Sequence, residues 1–154
     1  LFPLRDVNPT RVTPIVTLVL IGANLLVYFL IQGRGTAEEQ QALVYERAAI
    51  SCEVTTGFPL GIEEIVGDTC LAGAQEAVFP DKNVFLALVT SMFLHGSVGH
   101  VLFNMWFLWI FGNNVEEAYG HVGYLLLYLI GGLAATAAYV GLNPEATVPL
   151  VGAS

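Results

Sequence analysis

The chain has 154 residues, of which 55% are hydrophobic and only 12% charged, and its mean hydropathy is +0.68. Soluble domains carry about 25% charged residues, so roughly half the usual charge is missing and an ordinary water-soluble domain is excluded. The formal charge of −8 argues against a nucleic-acid partner, but nine of the thirteen acids fall between Glu38 and Asp81, which marks a solvated loop rather than an acidic binding face.

No charged residue occurs over 12–33, 83–115 or 119–144, counting histidine as neutral. Uncharged apolar runs of about 20 residues read as membrane-spanning helices, so the expected fold class is an all-α transmembrane helix bundle forming one domain. The opening stretch LFPLRDVNPTRVT is polar and begins with Leu rather than Met, and the chain is read as a fragment of a longer frame. The first apolar run is too long for a signal peptide and lacks a small-residue cleavage site. Thr13 suits an N-cap and Pro14 the first helical turn, giving a first span over 14–32. Arg5 and Arg11 before it, and the acidic segment after it, put the N-terminus in the cytoplasm.

Residues 33–82 form a long external loop. Within it TAEEQQALVYERAAI reads as a short amphipathic helix, while GIEEIVGDTCLAGAQEAV stays open between helix and loop. Cys52 and Cys70 are either free thiols or a bridge contributing about 3 kcal/mol in the chain-entropy account. Their spacing does not suggest zinc.

The run 83–115 is too long for one span and breaks at His95-Gly96-Ser97, since glycine ends helices and serine begins them. A short interfacial helix over 83–94 is expected, followed by a second span over 97–119. At 1.5 Å per residue that span is about 33 Å long, enough to cross. Glu116 and Glu117 mark its cytoplasmic end. A third span over 121–141 ends in GGLAATAAYVG, whose small residues allow close helix approach. LNPEATVP then turns the chain, and a fourth helix is expected from about 149.

Polar side chains in these apolar runs raise the functional question. His100 and Asn104 are one helical turn apart on the same face, and Ser154 enters the fourth helix to a similar depth. Such groups should face the bundle interior or a water-filled cavity. Spacing alone leaves two readings: interhelical hydrogen bonds worth about 0.6 kcal/mol each, or a catalytic site. No metal is expected, because His95 and His100 straddle a glycine break without a nearby acid and His121 sits at the other end. His95 reads as a structural hydrogen-bonder at the interface.

SMFLHGSVGHVLFNMWFLWIFGNNVEEAYG, with its H-x4-H-x3-N arrangement, resembles the second transmembrane helix of rhomboid intramembrane serine proteases. PLVGAS, after a third span, resembles the start of that family's G-x-S-G nucleophile motif. Together with the long first loop, the resemblance covers the whole chain. It implies a serine-type endopeptidase of a prokaryotic plasma membrane that cuts transmembrane protein substrates near their outer boundary, with no cofactor and no nucleic-acid partner. Ser154 would be the nucleophile, and His100 and Asn104, with the backbone N–H of Ser154, the oxyanion hole. His95 matches a family histidine that supports the loop and the helix entry.

The chain departs from the family pattern in two places. The family's basic histidine comes from the sixth helix, beyond Ser154. A serine hydroxyl needs a base to attack near neutral pH, and His100 is assigned to the oxyanion, so these 154 residues alone are expected to be inactive. Many members also carry a Trp-Arg pair in the first loop, whereas here Trp106 and Trp109 lie in the second span. The rival reading is a rhomboid-like pseudoprotease that binds membrane proteins without cutting them. A binder needs none of Ser154, His100 and Asn104, so their joint presence favours the enzyme. A transport path is disfavoured, because the third span offers little beyond Thr136 and two tyrosines.

Overall fold

The computed structural model describes residues 11–152; Arg5 and Ser154 lie outside the described residues. A run of aliphatic residues beginning after Pro14 forms α1 (Ile15–Leu26), which continues as a π-helical segment, Val27–Gln32. Thr36 then starts α2 (Ala37–Arg47) through a reciprocal capping box: its hydroxyl accepts the Glu39 N–H at 3.3 Å, and the Glu39 carboxylate accepts the Thr36 N–H at 2.7 Å. This is the amphipathic helix expected from TAEEQQALVYERAAI.

Short elements follow: β1 (Ala49–Ile50), α3 (Ser51–Thr56), α4 (Ile62–Gly67) and α5 (Ala87–Thr90), with a 3₁₀ turn at Ser91–Phe93. The undecided segment after Pro59 therefore holds a helix, but a brief one. The interfacial helix expected over 83–94 is reduced to α5 and the 3₁₀ turn, entered where the Asn83 side chain accepts the N–H groups of Phe85 and Leu86 at 3.2 and 2.9 Å.

The largest element is α6 (Val98–Leu142), which turns back on itself at Gly120, where φ is +71° and ψ 168°. That backbone conformation strains any L-residue, and glycine adopts it without a steric cost. The reversal shows in the packing: a β-carbon on Gly112 would lie 2.6 Å from the Tyr124 hydroxyl. The two arms, 98–119 and 121–142, each reach about 33 Å. The expected boundary between second and third spans coincides with this turn.

A fourth helix does not begin at 149. Pro149 and Leu150 instead form β2, antiparallel to β1, with Ala49 opposite Leu150 and Ile50 opposite Pro149. Val148 precedes a proline and is sterically biased to extended backbone, so the chain arrives already shaped for pairing. Propensity read along the sequence cannot see a partner strand a hundred residues away.

Ile15–Gln32 and Val98–Leu142 are long and apolar, with mean hydropathies of 2.2 and 1.9 in their most apolar windows, yet only 22% and 11% of those windows is buried within the protein. Core helices of a soluble protein would be covered. These leave Leu18, Val19, Phe29, Leu102, Phe103 and Leu126 facing outward, where lipid or a further apolar helix supplies an apolar environment. The chain is a membrane-associated helical fold.

The apolar helices are tied together at one end by Glu116, which is fully buried. Its carboxylate accepts the Val16 N–H and Thr17 N–H, each at 2.8 Å, the Thr17 hydroxyl at 2.7 Å, and a contact from His121 Nδ1 at 2.5 Å. The α1 start has no capping side chain of its own, and Glu116 serves instead.

At the other end, Ile50, Cys52 and Leu60 form a small loop core with Tyr45, Ile65 and Cys70 packed against it. Cys52 and Cys70 are joined by a disulfide, with their Cα atoms 5.8 Å apart. Beside this core Lys82 Nζ lies 2.5 Å from Glu53 and donates to the Tyr45 carbonyl at 2.6 Å, with both charged side chains almost fully buried. Burial pushes the Glu53 carboxyl up and the Lys82 ammonium down from their ordinary values, each opposed by the partner's charge and hydrogen bond. Lys82→Met is therefore expected to destabilise the loop by about 3–5 kcal/mol, because it strands a buried carboxylate. Adding Glu53→Leu should restore most of the loss. Thermal unfolding of the three proteins in detergent checks both outcomes.

Candidate active site

Ser97 sets the phase of α6. As N-cap its hydroxyl accepts the His100 N–H at 3.1 Å, which aligns His100 and Asn104 along one face. His95 lies just before this cap, fully buried, with its ring edge-to-face against His100 at a centroid distance of 5.2 Å. Its Nδ1 is 3.3 Å from the Phe93 carbonyl; a carbonyl only accepts, so Nδ1 carries the proton.

The turn carrying His95 is clamped from α1's π-helical end. The buried Gln32 amide accepts the His95 N–H at 2.9 Å and donates back to the His95 carbonyl. Two reciprocal bonds from one side chain fix both position and orientation of that peptide.

The segment leaving β2 closes the site. Gly152, with φ at +85°, donates its N–H to the Ser91 carbonyl at 2.9 Å. A β-carbon there would lie 3.1 Å from Cε1 and 3.2 Å from Nε2 of His100, and 3.5 Å from Nδ2 of Asn104. The backbone two residues before Ser154 is thus laid directly on the imidazole and the carboxamide. The structure brings His95, His100, Asn104 and Gly152 together; the expected nucleophile, Ser154, lies outside the described residues.

From His95 and Asn104 a cavity of about 430 Å³ extends between the arms of α6 towards Tyr124, with mainly apolar walls that include Met92, Met105 and Leu108. Asn104 therefore borders this open cavity. His121 is at the opposite end, on Glu116. Among the described residues, one group of potential metal donors comes close together, Cys52, Glu64 and Cys70, within 4.8 Å. Its two sulfurs are bonded to each other, and the Glu64 oxygens accept the Gly61 and Leu71 N–H groups, each at 2.7 Å. These residues form loop core, not a metal centre.

Three contributors escaped the sequence reading: Gln32, the Ser91 carbonyl and the Gly152 backbone. Gln32 left a signal, an amide ending an apolar run, but nothing in sequence names His95 as its partner.

The fold and this cluster define a helical membrane protein with a polar site at the loop-bearing end of its apolar helices. Residues 82–154 match the Rhomboid domain family model. The chain is 34% identical over 82 residues to the rhomboid protease GluP of Bacillus subtilis, covering 53% of this chain and 16% of that protein. It is 40% identical over 55 residues to presenilin-associated rhomboid-like protein A, mitochondrial, of Danio rerio (36% of this chain, 14% of that one). It is 43% identical over 47 residues to RHOMBOID-like protein 9, chloroplastic, of Arabidopsis thaliana (30% and 11%). The chain spans at most 16% of the length of these relatives. No solved structure gives a significant match. The chain is thus a membrane-associated helical fold that is similar to the Rhomboid domain over residues 82–154.

Proposed function

We propose that the chain forms part of an intramembrane serine endopeptidase that cuts transmembrane protein substrates near their outer membrane boundary. The observation that carries this reading is the packing of the Gly152 backbone on His100 and Asn104. Chain connectivity keeps Ser154 within about 7 Å of Gly152, so its hydroxyl is within reach of the same pair. In the reaction Ser154 Oγ attacks the scissile carbonyl carbon, and the carbonyl oxygen takes the negative charge. His100, Asn104 and the Ser154 N–H donate to that oxygen, each donor worth a factor of about 10² to 10³ in rate. The proton leaves to a histidine supplied by a later helix, as the family resemblance implies.

In this reading α1 and the two arms of α6 cross a prokaryotic plasma membrane three times, with the N-terminus in the cytoplasm and residues 33–82 outside. The site then lies just below the outer surface, where water needed for deacylation can enter. The relative from Bacillus subtilis is a protease by name, which supports the hydrolytic reading over a pseudoprotease that only binds.

Labelling of the full-length protein with a serine-directed fluorophosphonate tests this. The expected result is a covalent adduct mapped by mass spectrometry to Ser154, accompanied by cleavage of a transmembrane reporter. A Ser154 that exchanges with water yet takes no label, in a protein that still captures the reporter, assigns the pseudoprotease instead.

A further inference from the structure

The first loop does more than cover the membrane helices, because one short stretch of it grips the segment that leads to Gly152. β1 pairs with β2. Immediately after β1, the Cys52 N–H donates to the Ala146 carbonyl at 3.0 Å, and the Thr55 hydroxyl to the Pro144 carbonyl at 2.9 Å. From the far side of α4, Asp68 accepts a bond from the Thr147 hydroxyl. Among the described residues, these anchors on 144–150 come from β1, from α3 and from the residue just after α4. The Cys52–Cys70 bridge closes the 18-residue separation that joins these last two pieces.

Besides the bridge, the pieces are held by the buried Glu53–Lys82 pair and by the Glu53 and Glu64 carboxylates, which accept the Leu60, Gly61 and Leu71 N–H groups. The loop core has three fully buried hydrophobic residues, one of them Cys52 itself, and α3 and α4 have six residues each. Helices of that length are unstable on their own. The bridge is the covalent part of the clamp, and one of its residues, Cys70, is partly exposed, which leaves a side from which a small thiol can approach.

We propose that the disulfide-closed segment 52–70 is a positioning clamp for the strand that carries the nucleophile, and that reduction of Cys52–Cys70 by an external dithiol lowers the activity of the site. The exchange balances: the S–S bond takes two electrons and two protons, giving two thiols, and the dithiol closes to its own disulfide. With the bridge open, Asp68 and α3 no longer move as one body. β2 then loosens, and Gly152, held by its bond to the Ser91 carbonyl, shifts against His100 and Asn104. The activity arm of this proposal rests on the protease reading; the structural arm does not.

The test uses the full-length protein in proteoliposomes, oxidised and then treated with dithiothreitol after folding. Amide hydrogen exchange over 143–152 is expected to accelerate on reduction while 98–142 keeps its protection. The kcat for a transmembrane reporter should fall on the order of 10- to 100-fold with KM little changed, since misplacement of a reacting group by about 1 Å costs up to that much. Reoxidation should restore both, and the Cys52→Ser/Cys70→Ser protein should match the reduced state and ignore dithiothreitol. Unchanged exchange over 143–152 on reduction overturns the clamp. So does loss of protection throughout α6, which would make the bridge a general structural staple. Failure of the oxidised protein to cleave or label at all counts against the protease reading, and the exchange measurement still decides the clamp.

Discussion

Gly152→Ala in the full-length protein is expected to lower kcat for a transmembrane reporter by about 100-fold or more, with only a small loss of thermal stability. The substitution acts twice at one point. An L-residue held at φ +85° costs about 1–2 kcal/mol in the left-handed region. Its β-carbon also meets the His100 ring at 3.1 and 3.2 Å, closer than two carbons comfortably pack. Something must give. The strand is tethered on its other side by the Gly152 N–H to Ser91 and by β1, so the added methyl presses on the imidazole and shifts it. In the proposed mechanism, moving His100 removes an oxyanion donor, and one such donor is worth about 10² to 10³ in rate. Because that bond forms only as charge develops, the loss should fall on kcat rather than KM. An alanine variant cleaving within about threefold of the parent would remove the site geometry from consideration.

The same residue shows how far a sequence can be read. The two apolar helices and the turn at Gly120 were legible because lipid imposes a one-dimensional rule: long runs without charge, interrupted where charge or a helix break returns. His100 and Asn104 were legible as a pair because helical spacing alone puts them on one face. The fourth helix expected from Pro149 was misplaced, because β2 exists only through β1, and two residues of pairing leave no periodicity to detect. For the same reason Gly152 was read only as part of PLVGAS, and its contact with His100 left no trace in sequence. Of the loop helices, α3 was not foreseen and α4 was left open between helix and loop, for a different cause. α3 and α4 are each under two turns, are held by a bridge and a buried ion pair, and so owe little to propensity. Glu116 was read as an end marker, which its charge justified; its real partners lie a hundred residues earlier in the chain.

Glu116→Ala should lower stability by about 3–5 kcal/mol, as for removal of one member of a buried charged network. The reason is the number of donors it leaves behind. Val16 and Thr17 sit in the first turn of α1, where backbone N–H groups have no partner within the helix, and Pro14 offers none from its side chain. Water satisfies such groups in a soluble protein. Here one carboxylate from the first arm of α6 does so, while also taking the Thr17 hydroxyl and the His121 ring. Each orphaned buried donor costs about 1–3 kcal/mol, and the anion was additionally favoured by the positive end of the α1 dipole. Glu116→Gln keeps one acceptor oxygen but turns the other position into a donor facing donors, so it should lose nearly as much. Thr17→Val deletes one bond and should lose about 1 kcal/mol. Unfolding followed by helical signal in a denaturing detergent series ranks the four proteins. The catalytic end should tell a different story: Asn104 lies about 18 Å along the arm from Glu116, so activity per folded molecule is expected to stay within about threefold of the parent. If Glu116→Ala unfolds alongside the parent, the buried carboxylate does not hold the three helices together. If it stays folded but inactive, the two ends of the arm are coupled in a way that simple packing does not explain.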